Sequence, residues 1–116
     1  MDTAKLQQLA IAALEDIKAK DIEILDTTGM TSLFDRVIVA TGDSNRHVKA
    51  LARNVHDALR DAGAHIVGIE GEENGEWILI DLDLVVVHVM QPAIRSYYNL
   101  EELWRKLPAH RKATHA

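Results

Sequence analysis

The sequence predicts an α/β domain in which one mixed sheet of about five strands is flanked by helices. Three observations predict it. Apolar residues recur at helical spacing near the start and in the middle of the chain, and they alternate or run together in short segments elsewhere. These segments succeed one another as helix, strand, strand, helix, three strands and helices. The 116 residues, 47% apolar and 27% charged, suit one compact domain, and no repeat, low-complexity tract or linker divides them.

Leu6, Leu9, Ala10, Ala13 and Ile17 make the stripe of an amphipathic first helix ending near Lys20. Asp21 to Thr27 alternates around Ile22 and Ile24, Thr28-Gly29 breaks it, and Val37 to Ala40 forms a second apolar run, so both read as strands. Asp43 or Ser44 caps a helix with the stripe Val48, Leu51, Ala52, Val55 and Leu59, and Gly63 stands where a left-handed C-terminal cap belongs. Ala64 to Glu70 reads as a short strand. Asn74-Gly75 signals a hairpin, because both residues tolerate positive φ. Glu76 to Asp83 and Leu84 to Met90 follow as strands, and Pro92 fits the first turn of a helix. Asn99 with Glu102 suggests a capping box for a last helix bearing Leu100, Leu103, Trp104 and Leu107. Residues 1–107 are then the domain, Pro108 ends it, and 108–116 are expected to be a flexible tail.

Charge and composition exclude several functions. The net charge of −5 disfavours a wholesale nucleic-acid coat or a cationic membrane binder, and with no cysteine there is no disulfide, thiolate nucleophile or zinc–sulfur site. The longest apolar stretch, within Leu84 to Met90, is far short of the roughly 20 residues of a membrane helix. The start carries an early acid and lacks the order of a secretory signal, so a cytoplasmic protein is expected. The charge is local: Ala64 to Met90 holds Glu70, Glu72, Glu73, Glu76, Asp81 and Asp83 and no lysine or arginine. Such a segment is either a solvated acidic hairpin or a docking face for a basic partner.

In Trp77 to Asp83 the even positions are apolar, whereas Trp77, Asp81 and Asp83 share the other strand face. Paired carboxylates on one face are what two-metal phosphoryl-transfer sites use, and Gly42-Asp43-Ser44 at a helix start offers amides to a phosphate. A metal-dependent nucleotidyltransferase using Asp81 and Asp83 is therefore the alternative reading. Against it, a helix, a strand and a turn separate Ser44 from Asp81, and no basic cluster meets a triphosphate. His88, inside a valine-rich strand, reads as a buried or half-buried histidine hydrogen-bonded to a neighbour. His47 and His56 fall on opposite sides of the middle helix and cannot share a metal, and His110 and His115 belong to the tail. Trp104 is claimed by the core. Trp77, sharing its face with acids, suits a partly exposed anchor, and of the adjacent Tyr97 and Tyr98 at most one is core.

Trp77-Ile-Leu-Ile-Asp81, Val85-Val-Val-His88-Val-Met90 and Tyr97-Tyr98-Asn-Leu-Glu-Glu-Leu-Trp104 resemble the ribosomal silencing factor family, also called Iojap-like. Ala13 to Asp21 and Phe34 to Gly42 match its pattern too, so the resemblance covers roughly Leu6 to Leu107. One segment departs. Members commonly show Asp-Leu-Gly-Asp or Asp-Tyr-Gly-Asp where this chain reads Asp81-Leu82-Asp83-Leu84, which leaves Asp81 as the match.

The resemblance implies a nucleotidyltransferase-like fold without catalysis or cofactor. It also implies that the protein binds the large ribosomal subunit through ribosomal protein L-fourteen and bars the small subunit, lowering translation when nutrients are scarce. On physical grounds Trp77 is the expected anchor, with Asp81, Glu70, Glu72, Glu73 and Glu76 supplying charge. His88, Tyr98, Glu101 and Glu102 join them because they match the family pattern. No DNA or membrane partner is expected, direct ribosomal RNA contact is expected to be secondary, and self-association through the face bearing Trp77 and Leu79 is a third reading.

Overall fold

The computed structural model describes residues 1–106, so the expected end of the last helix at Leu107 and Pro108, and the tail to Ala116, lie outside the described residues. The chain forms α1 (Thr3–Asp16), β1 (Lys20–Asp26), β2 (Arg36–Thr41), α2 (Asn45–Asp61) and β3 (Gly68–Glu70). It continues as β4 (Trp77–Asp81), β5 (Val85–Met90), α3 (Pro92–Tyr98) and α4 (Leu100–Lys106). The five strands make one mixed sheet in the order β1-β2-β5-β4-β3. β2 and β5 are parallel and the other neighbours antiparallel.

The sheet's two faces are covered unequally. Ile38 and Ala40 of β2, Ile78 and Ile80 of β4, and Val85, Val87 and Val89 of β5 point to one face and pack against the buried stripes of α1 and α2. Side chains that alternate to the other face, Leu25, Val37, Val39 and Met90, meet Phe34, Ile94, Leu100 and Trp104. That second layer, α3 and α4, lies over the β1–β2 side and leaves the β4–β3 side uncovered. At about 2 kcal/mol for each fully buried large aliphatic side chain, the first layer carries most of the stability.

α2 matches its sequence signals: Ser44 Oγ accepts the His47 amide at 3.1 Å, the expected stripe is buried, and Gly63 takes φ +88°. α1, capped by Asp2, ends at Asp16 rather than near Lys20. Ile17 still packs on the core, which is why periodicity runs past the true end, but the chain reverses at Lys18, φ 62°, and Lys20 already opens β1. The strand expected over Ala64 to Glu70 is only Gly68–Glu70. Its partner β4 stops at Asp81, opposite Gly68, so the earlier residues have no ladder to join beyond one Val67 to Asp81 bond. The hairpin is also wider than a two-residue turn: Glu70 faces Leu79, and positive φ falls at Gly71 and Gly75, not at Asn74. Asn74 instead accepts the Glu76 amide on its side chain at 3.1 Å. Asn99 adopts the left-handed conformation, φ 49° and ψ 56°, and closes α3 instead of taking the extended geometry of an N-cap. Leu103 is 52% exposed and is not core.

Candidate functional site

Alternation along β4 puts Ile78 and Ile80 under α2 and turns Trp77, Leu79 and Asp81 to the open half of the second face. The registers place Leu79 between Glu70 of β3 and His88 of β5. Trp77 is half-buried, and its Nε1–H donates to His88 Nδ1 at 3.0 Å. Its ring lies against Tyr98 with centroids 4.9 Å apart, and Tyr97 meets Tyr98 edge-on at 5.0 Å. The indole is thus held by the strand beneath it and by α3 beside it. Because Nδ1 accepts this bond, His88 is neutral with its proton on Nε2. Burial pushes its imidazole down to about 4.

Beside this aromatic cluster the sheet is concave. A cavity of about 470 Å³ is walled by Leu33, Phe34 and Trp104 on one side and Val67 on the other, with Leu79, Val86, Asp81 and His88 as its floor. Leu33 is 73% exposed and Val67 53%, so the rim is apolar and open to solvent. A smaller depression of about 210 Å³ joins Glu70, Gly71, Trp77, Leu79 and His88. The site is therefore an open apolar hollow with an aromatic anchor and carboxylates at its margin.

Of the expected site residues, the fold brings together Trp77, His88, Tyr98, Glu70 and Asp81. It does not bring the rest. Glu72 pairs with Arg53 of α2 at 3.4 Å, and with Glu73 it lines a groove against that helix, turned away from the hollow. Glu76 is exposed at the start of β4, and Glu102 is half-buried on α4. Glu101 is only 9% exposed, and its Oε2 accepts from Arg95 Nε at 3.1 Å, so it belongs to the interior and not to a contact surface. Neither tyrosine is buried; Tyr98, 51% exposed, is the one that packs on Trp77. Leu33, Phe34, Val67 and Val86 were not expected in the site. Leu33, Phe34 and Val67 sit in connections where no periodicity speaks, whereas Val86 was open to inference, because strand alternation sets it on the face of His88.

The two carboxylates of the nucleotidyltransferase reading do not share a strand face. β4 ends at Asp81, and Asp83 lies in the turn beyond it with φ 73°, donating its amide to Asp81 Oδ1 at 2.8 Å. Position 83 is where the family pattern has glycine, and the backbone keeps the conformation that glycine would supply. The Gly42 to Ser44 loop is remote: Gly42 bonds the carbonyl of Met90, while Asp81 faces Val86, about 13 Å back along β5. Its groups are also engaged. Asp43 pairs with Lys20 at 3.1 Å and gives its amide to His47 Nδ1, and Ser44 caps α2. Among the described residues no group of three or more histidines and acids is placed to hold a metal.

The model of the family described as "Ribosomal silencing factor during starvation" matches residues 1–115. The chain belongs to this silencing-factor family. It is 62% identical over 104 residues to the ribosomal silencing factor of Chromobacterium violaceum, spanning 90% of this chain and 85% of that one. The crystal structure of a Chromobacterium violaceum protein, also 62% identical, superposes with a TM-score of 0.88 over 90% of this chain and 87% of the other. A more distant relative, 27% identical over 99 residues, is the mouse protein named for mitochondrial assembly of the ribosomal large subunit; it matches 83% of this chain, which covers 43% of that protein. Of the residues in the resembling motifs, His88 and Tyr98 both meet Trp77.

Proposed function

We propose that the protein silences translation by laying its open sheet face on ribosomal protein L-fourteen of the large subunit and standing where the small subunit would join. The observation that carries this reading is the pinned Trp77 beside an exposed apolar hollow edged by Glu70, Asp81 and Asp83. Aromatic anchors surrounded by polar groups are where binding energy concentrates, and acids orient the approach of a basic protein while repelling RNA phosphates. Membership of a family named for ribosome silencing, and a relative named for the large subunit, support the choice of subunit. The mechanism is occupancy of a surface, with no chemical step, in the cytoplasm; no helix among the described residues is long and apolar enough to cross a membrane.

The decisive experiment is cosedimentation with purified large subunits and a subunit-joining assay. The wild-type chain is expected to travel with the large subunit and to reduce joined ribosomes. Trp77→Ala combined with Asp81→Lys is expected to weaken binding at least a hundredfold, at about 2 kcal/mol or more for the anchor plus a like-charge penalty. Unchanged binding by that variant would place the contact on another face.

A further inference from the structure

Tyr98 reaches the Trp77 anchor from α3, and α3 has little of its own to hold it there. It is seven residues long, too short to stand alone, and among the described residues none of its side chains is fully buried and no side chain caps its start. Ile94 packs on the cluster that contains Met90, and the next residue, Arg95, supplies a polar grip. The registers set Thr41 of β2, Met90 of β5 and Trp77 of β4 in one row across the sheet. α3 crosses that row: Arg95 binds Thr41 at one end, and Tyr98 rests on Trp77 at the other, two strand spacings or about 10 Å away.

Arg95 is itself held on several sides. Its Nε donates to Glu101 Oε2 at 3.1 Å, its Nη1 to Thr41 Oγ1 at 2.8 Å and to the carbonyl of Asp21, and its Nη2 stands 3.8 Å from Glu23 Oε2. One guanidinium thus ties α3 to β1, β2 and α4. Its side chain is 13% exposed and that of Glu101 12%, so water and salt screen the pair little. The planar fork makes this possible, because it sends separate N–H groups in fixed directions, whereas the ammonium of a lysine is a compact charge on a flexible stem. Arg95 and Tyr98 stand three residues apart on one helix, where side chains are neighbours, so a shift of the one carries the other.

The groups that Arg95 binds lie outside the hollow, so its part in docking is indirect. We propose that Arg95 is a positioning residue for ribosome docking, seating α3 across the sheet so that Tyr98 stays against the Trp77 anchor. The role rests on docking through the open sheet face and deepens it. The anchor is ordered from the far side of α3 before any partner arrives, and a docking protein is spared the cost of ordering it.

The test joins proton NMR contacts in the free full chain to association and dissociation rates with purified large subunits. In Arg95→Lys, which keeps a cation beside Glu101, the contacts between the Tyr98 ring and the Trp77 indole are expected to weaken. Association is expected to keep its rate and dissociation to quicken several-fold. Tyr98→Ala is expected to quicken dissociation in the wild type but to add little in the Arg95→Lys background, because a residue that acts through Tyr98 then has nothing left to act on. A loss of fold stability alone would simply add. Thr41→Val, which takes one acceptor and spares the ion pair, is expected to shift the same ring contacts less, and it decides the matter if Arg95→Lys does not fold. Undiminished ring contacts in these variants, or additive effects on dissociation, would overturn the role of Arg95. A wild-type chain that does not bind large subunits would instead overturn the docking reading, and this role with it.

Discussion

Trp77 and His88 depend on each other, and that dependence is visible to pH. The bond from Trp77 Nε1 needs a neutral His88, and burial holds its pKa at about 4 against an ordinary 6.5. The sign follows from the depressed value: the contribution is fully present above 6.5 and is lost as pH falls from 6.5 towards 4, where the unfolded chain binds a proton that the folded one refuses. The difference is worth at most about 3 kcal/mol. Urea unfolding at pH 7 and pH 4.5 is expected to show a larger loss for the wild type than for His88→Gln, which cannot titrate. Asp26, lowered by its hydrogen bonds from Thr28, and Asp57, lowered by His56, give up stability in stronger acid in both proteins, so the comparison isolates His88. Equal losses in the two proteins would remove the histidine from the account. The exposure of Trp77 and the bonding of His88 were legible in the sequence, because alternation along a strand sets both on a face shared with polar residues. The burial of Glu101 was not, since a seven-residue helix has too few turns to show which side meets the core.

At the scale of elements, the hairpin and the turn after β4 position the site, and their backbone sets what they accept. Gly71 and Gly63 have nearly the same φ, +89° and +88°, but different surroundings. A Cβ at Gly63 meets nothing within 4 Å, whereas one at Gly71 would stand 2.1 Å from the carbonyl oxygen of Trp77. Gly63→Ala is therefore expected to cost about 1 kcal/mol from left-handed strain alone. Gly71→Ala is expected to cost several times that and to displace Trp77, read as a change in tryptophan fluorescence that Gly63→Ala does not cause. Equal effects would mean that the hairpin yields freely. Asp83, at φ 73°, supplies a companion case: Asp83→Gly is expected to stay within about 1 kcal/mol of the wild type in thermal or urea unfolding, and Asp83→Val to lose about 2 kcal/mol, because a branched side chain tolerates that φ least. Comparable losses in the two variants would show that φ does not govern the turn. Sequence patterns reached α2, β2 and β5, whose apolar periods agree with their caps and turns. They missed the ends of α1 and β3, because packing continues past the one and pairing stops short of the other.

For the whole molecule, what the pattern of apolar residues cannot express is that the second layer covers half the sheet. A strand with one polar face reads the same whether water or a partner meets that face, so the open hollow between Trp104 and Val67 emerges only from the packing of α3 and α4. The acidity of Ala64 to Met90 was legible, but the fold divides it, sending Glu72 and Glu73 towards α2 and keeping Glu70, Asp81 and Asp83 around the hollow. This division makes a kinetic prediction. Exposed acids act over about 8 Å at physiological ionic strength, steering a basic partner before contact, whereas a half-buried indole acts only after contact. Glu70→Lys is therefore expected to slow association with large subunits several-fold and to flatten its salt dependence. Trp77→Ala is expected to leave the association rate near its original value and to speed dissociation at least tenfold. Stopped-flow mixing over a salt series separates the two. If Glu72→Lys slowed association as much as Glu70→Lys, the whole acidic segment and not the margin of the hollow would be guiding the encounter, and the orientation assigned to the protein on the ribosome would have to turn towards α2.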